Sequence, residues 1–148
     1  MRWSPHVTVA AIIERRGKYL FVHENTTHGP VLNQPAGHLE DTETLPDAIR
    51  REVLEETGYR FNPQSLVGIY QYRAPDGHAT YLRFAYTGDV AEPGDDHELD
   101  PIIIETLWLS RAELESTTIN LRSPLVIQTL DDYESGQRYP LNIVEQLL

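Results

Sequence analysis

The segment from Gly37 to Tyr59, GHLEDTETLPDAIRREVLEETGY, constrains this chain more than any other. Its second half carries the punctuation of a helix. Thr44 stands as an N-cap, Pro46 falls in the first turn, Asp47 follows the cap at capping-box spacing, and Gly58 sits where a C-cap glycine belongs. At about 100° per residue, Glu52, Glu55 and Glu56 fall within about 100° of arc and share one helix face. That face is locally unfavourable. Glu52 and Glu56 are like charges one turn apart, which costs roughly 0.2–0.5 kcal/mol. Glu55 and Glu56 also lie in the last turn, where the helix dipole disfavours anions by about 0.3–1 kcal/mol each. Local conflict of this kind concentrates at functional sites. A hard divalent cation, magnesium or manganese, is its simplest compensation, because such ions prefer oxygen ligands. On spacing alone, a solvated acidic face is the alternative.

The full pattern is more specific. Gly37, Glu43 and the run Arg51-Glu52-Val53-Leu54-Glu55-Glu56-Thr57-Gly58-Tyr59 together resemble the Nudix box at every fixed position. The resemblance implies a Nudix hydrolase, α/β or α+β in class, with an α/β/α sandwich around a mixed β-sheet. It implies cleavage of phosphoanhydrides with magnesium or manganese as cofactor. It also implies residue roles. Glu52 and Glu56 match the principal metal ligands, the backbone carbonyl of Ala36 matches a further one, and Glu55 matches a ligand or a residue just behind the ligands. Glu43 and Arg51 match the pair that locks the loop onto the helix, and Gly37 allows close backbone approach. The chemistry agrees, since an arginine grips a carboxylate with two parallel bonds. An ordinary one-turn pair of Arg51 with Glu55 is equally open and compatible.

At 148 residues the chain is expected to form a single domain, 1–148, around one sizeable core. Hydrophobic residues make up 40% and charged residues 24%, the mix of an ordinary globular protein. The net charge of −11 argues against binding a nucleic-acid polymer or an anionic membrane. A phosphorylated small-molecule substrate is also an anion, so its site needs a local source of positive charge, which a bound cation supplies. The absence of cysteine excludes disulfides and thiolate chemistry. The apolar run Val7–Ile13 is too short for a membrane span and lacks a signal-peptide pattern. A cytoplasmic location is expected, as monomer or homodimer.

Along the chain, His6–Glu14 reads as a strand with one end buried on both faces, Arg16-Gly17 as a turn and Lys18–Glu24 as the returning strand. Asn25–Pro30 reads as a polar loop. Pro35 makes Val31–Ala36 a short or edge strand. Phe61–Gln64, with its proline, reads as a linker. Leu66–Arg73 and Thr80–Tyr86 read as strands joined by the turn Ala74-Pro75-Asp76-Gly77. Gly88–Pro101 is acidic and loop-like, and Ile102–Leu109 is a further strand. Ser110 with Glu113 forms a second capping box over a helix near Arg111–Glu115. Ser123-Pro124 opens a third helix that Gly136 ends. The tail Leu141–Leu148 is apolar enough to dock.

Outside the box, Glu98 on the acidic loop and Glu105 before Trp108 are candidate general bases, with His97 a weaker one. The segments Asn33–Glu40, Leu121–Val126, Ser135–Leu141 and His6–Ala10 look like a small bacterial branch of the family. That branch implies phosphatase-type action on thiamine pyrophosphate, hydroxymethylpyrimidine pyrophosphate and nucleoside di- and triphosphates. Arg122 and Arg138 are then candidate phosphate contacts. Tyr70, Tyr72 and Tyr81 are candidates to stack on a pyrimidine ring or to pack in the sheet. Two alternatives stay open: cleavage of ADP-ribose or dinucleoside polyphosphates, and a non-catalytic nucleotide-binding module.

Overall fold

The computed structural model describes residues 2–94 and 98–148. Strands β1 (His6–Ile12), β2 (Glu14–Arg15), β3 (Lys18–Thr26), β4 (Gly29–Asn33) and β5 (Ala36–His38) precede helix α1 (Leu45–Thr57). Then follow β6 (Arg60–Arg73), β7 (Thr80–Ala91), β8 (Ile103–Leu109), α2 (Arg111–Ser116), α3 (Leu125–Glu134) and a single 3₁₀ turn at Leu141–Ile143. One sheet is mixed, in the order β5-β1-β7-β6, with β1 and β7 parallel and the other pairs antiparallel. The other is antiparallel, in the order β2-β3-β4, with β8 also on β3. The expected mixed sheet between helices is therefore present, accompanied by a second sheet.

The apolar run at the start of the chain explains the layering. Val9, Ala11 and Ile13 pack with Ala48, Ile49 and Val53 of α1 in one core, while Ile12 joins Val126 and Leu130 of α3 and Leu114 of α2 in another. Alternate side chains of β1 leave opposite faces, so a strand flanked by helices on both sides reads as continuously apolar. Among the described residues no helix is long and apolar enough to cross a membrane.

Several expected loops are strand. Phe61–Gln64 lies inside β6, and the register slips between Pro63 and Ser65. A proline fits there because β6 is an edge strand and the irregularity relieves it of ladder bonding. Gly88 stands opposite Pro63, and a side chain at Gly88 would overlap the carbonyl of Asn62. The expected loop Asn25–Pro30 is a tight hairpin instead. Thr26 pairs with Gly29, and the Thr26 hydroxyl donates to the Gly29 carbonyl at 2.6 Å. β7 runs on to Ala91, which shortens the acidic loop. The tail docks only in part: Leu141 and Val144 pack on the core, whereas Leu147 and Leu148 are 91% and 82% exposed.

Candidate active site

Helix α1 forms as its sequence demands, with one difference. The Thr44 hydroxyl accepts from the Asp47 amide at 3.1 Å, and Gly58 closes the helix at φ 78°. The Asp47 carboxylate does not complete the box but accepts from Arg50 at 2.9 Å. At the other short helix both halves of the Ser110–Glu113 box form.

The helix lies against β5, and this contact builds the site. Gly37 passes so close to Glu52 that a Cβ there would overlap its carboxyl group. The Ala36 amide donates to Glu56 Oε1 at 2.9 Å. Arg51 sits at the centre. Its Nε and Nη2 donate to the two oxygens of Glu43 at 3.0 and 2.7 Å, and Nη2 also donates to the His38 carbonyl at 3.0 Å. Its Nη1 donates to Glu52 at 2.7 Å and to Glu55 at 3.2 Å. The loop lock and the one-turn pair with Glu55 thus both form. Bonded to Arg51, Glu43 titrates below the usual carboxylate range.

Glu52 and Glu56 are buried, at 9% and 3% exposure. Desolvation disfavours their charged forms. Burial pushes Glu52 up to about 7 even though Arg51 pulls the other way. It pushes Glu56 up to about 9 against the Ala36 bond, with Glu24, Glu52 and Asp100 adding repulsion. Glu55 is more exposed than Glu52 and is held by Arg51. Among the described residues, no three His, Cys, Asp or Glu side chains gather closely enough to hold a metal unaided. Among the described residues Glu56 pairs with no cation and Glu52 shares Arg51 with Glu43 and Glu55, so this buried pair nonetheless fits a hard cation, which keeps several waters and takes further oxygens from a substrate phosphate.

Two acidic residues near this pair escaped the sequence reading. Glu24 is buried, burial raises its titration, and Arg122 opposes that rise. Its signal was alternation, since Leu20 and Val22 on the same face of β3 are fully buried. Asp100 arrives from a distance, its amide donating to the Glu55 carbonyl at 2.8 Å.

The other candidates separate. Glu98 is exposed, two residues from Asp100, on the stretch anchored at the end of α1. His97 lies outside the described residues. Glu105 does not join the site. It contacts the His23 ring at 3.3 Å, and His23 leaves the face of β3 opposite to Glu24. Arg122 is exposed, and its charge is felt by both Glu24 and His38. Arg138 is not brought to the site either. Its guanidinium donates to the carbonyls of Tyr133 and Gln137 and stacks 4.1 Å from the Tyr133 ring centroid. Tyr133 bonds Glu14 and packs on Tyr19, at the end of β3 away from Glu24. Among the stacking candidates, Tyr70 is tied to Asp132 of α3 at 2.8 Å.

A family model, the NUDIX domain, matches residues 4–130. The chain belongs to the NUDIX family. This makes it a Nudix hydrolase by kinship, and the geometry around Arg51 accords with that. It is 42% identical over 144 residues to the phosphatase NudJ of Escherichia coli K12, covering 96% of this chain and 92% of that protein. A NUDIX hydrolase structure from Nitrosomonas europaea superposes at a TM-score of 0.92 with 45% identity, covering 97% of each chain. The NUDIX domain of NrtR from Shewanella oneidensis, solved with ADP ribose, superposes at 0.74 with 15% identity over 91% of this chain and 90% of that one. That last likeness concerns the fold alone.

Proposed function

We propose that this Nudix hydrolase removes orthophosphate from the diphosphate or triphosphate terminus of small organic substrates, in the manner of a phosphatase. Thiamine pyrophosphate, hydroxymethylpyrimidine pyrophosphate and nucleoside di- and triphosphates are the candidates. The observation that carries the reading is the buried pair Glu52 and Glu56, set against β5 with too little positive charge around it. The 42% identity to a protein named as a phosphatase supports the choice of activity within the family.

Glu52 and Glu56 would hold magnesium or manganese, with Glu55 and the Ala36 carbonyl as further donors. When bound, the ion neutralises phosphate charge and activates the attacking water. The chain's own residues do the rest. Arg51 clamps Glu43 and the His38 carbonyl, so β5, which carries Ala36 and Gly37, is held against the helix. Gly37 leaves room for the Glu52 carboxyl group. Arg122, whose charge reaches Glu24 and His38, would contact substrate phosphate. Glu98, on the stretch beside the end of α1, takes the proton of the attacking water.

The test is a panel of diphosphates and triphosphates with magnesium, with each released phosphate species identified. Orthophosphate is the expected first product, with a nucleoside diphosphate left from a triphosphate. Pyrophosphate or a nucleoside monophosphate as first product would reject the phosphatase assignment.

A further inference from the structure

Among the described residues, Arg83 is a buried cation with no carboxylate to pair with. It stands on β7 between Thr8 of β1 and Tyr70 of β6, at 4% exposure, and its Nε has no hydrogen-bond partner among those residues. Taking a guanidinium out of water without a counter-charge is costly, and burial disfavours its charged form. Local conflict of this kind concentrates at functional sites.

The bond that Arg83 does make is directional. Its Nη2 donates to Gln34 Oε1 at 2.8 Å, and Gln34 Nε2 donates to the Val126 carbonyl, in the first turn of α3, at 2.9 Å. A guanidinium can only donate, so it claims the amide oxygen and turns the amide nitrogen toward α3. Gln34 is 2% exposed and stands where the chain passes from β4 to β5. The next carbonyl, of Pro35, accepts from the Ala11 amide at 2.9 Å, which fixes the passage to β1. On the β4 side, Leu32 forms a parallel bridge with Leu121. The Leu32 amide donates to the Asn120 carbonyl and the Arg122 amide donates to the Leu32 carbonyl, both at 2.8 Å. Arg122 therefore lies between two ties, the Leu32 bridge and the Gln34–Val126 bond.

We propose that Gln34 and Arg83 are positioning residues for Arg122. Arg83 orients the Gln34 amide, and that amide holds the segment 120–126 where the Arg122 charge meets substrate phosphate. The inference rests on the diphosphate-hydrolase reading. It gives the buried charge a use, because a donor-only group leaves Gln34 one orientation.

The test is steady-state kinetics with magnesium on the diphosphate that the wild type hydrolyses fastest. Gln34→Leu and Arg83→Met are expected to raise KM about tenfold and to change kcat less than about twofold. Gln34→Glu separates positioning from stability. It keeps an acceptor for Arg83 and gives that charge a partner, yet has no N–H for Val126. It should melt no lower than the wild type and still raise KM as Gln34→Leu does. In an Arg122→Ala background none of the three should raise KM further, since residues that act through one another are not additive. A wild-type KM in Gln34→Glu, or a full further rise in the Arg122→Ala background, overturns the proposal. A second arm needs no hydrolysis. Hydrogen exchange of the Arg122 amide should be faster in Gln34→Leu and Gln34→Glu than in the wild type, and unchanged exchange overturns the tie. Faster exchange with no phosphate released from any diphosphate by the wild type would overturn the hydrolase reading and leave the tie standing.

Discussion

The amide of Ala36 donates to Glu56 Oε1 at 2.9 Å, the bond by which the strand before the helix meets the most deeply buried carboxyl of the site. One backbone donor does not offset the burial, so Glu56 titrates near 9, against an ordinary value of 4.5. The folded-state value is the higher one. Its cost to stability is therefore absent below about pH 4.5 and grows until about pH 9. Glu56→Gln keeps an acceptor for the Ala36 amide and removes the charge. It should melt at nearly the wild-type temperature at pH 4.5 and above it at pH 8, in metal-free buffer. Parallel melting curves at the two pH values would contradict the assignment.

The same residue separates a metal ligand from a merely buried acid. Magnesium should raise the wild-type melting temperature by mass action and release protons as it binds. Glu56→Gln should gain much less and should lose turnover by orders of magnitude. Equal gains in the two proteins mean that Glu56 is not a ligand.

Gly37→Ala tests the close approach of β5 to α1. The new methyl group would occupy the space of the Glu52 carboxyl group, so the side chain must move out of its position. Overpacking of this kind costs about 1–3 kcal/mol. Activity is expected to fall far more than stability does, which paired urea denaturation and steady-state kinetics would reveal.

Arg51→Lys tests the clamp. A lysine keeps the charge and loses the two parallel bonds to Glu43. Losing an outer partner of a metal site typically costs 10–100-fold in metal affinity or activity. The magnesium concentration for half-maximal activity should rise within that range, and Glu43→Gln should raise it similarly. A double variant no worse than either single one would show that the pair acts as a unit.

The legible parts were local. Thr44 and Gly58 bound α1 through contacts within a few residues, and the Ser110–Glu113 box needs no partner elsewhere. Spacing puts Glu52 and Glu56 on one face and points to helix-surface repulsion as their cost, whereas burial against β5 dominates. Spacing reports which face a residue shares and says nothing of what covers that face. Glu24 and Asp100 depend on pairings between distant segments, as does the removal of Glu105 and Arg138 from the site. Pro63 made a linker of a strand because nothing local marks an edge.

The parallel pairing of β1 with β7 has a consequence for how the protein is made. His6 meets Tyr81 and Ile12 meets Thr87, while β5 takes the other side of β1. The strand that supports Ala36 and Gly37 is thus propped by a strand whose partner leaves the ribosome only after α1 and β6. Closing such a loop costs entropy before any contact repays it, and chains dominated by distant pairings fold slowly. A nascent chain that ends at Tyr59 contains every box residue and cannot yet hold them in place. Catalytic competence should therefore arrive late and all at once, when β7 slots in beside β1.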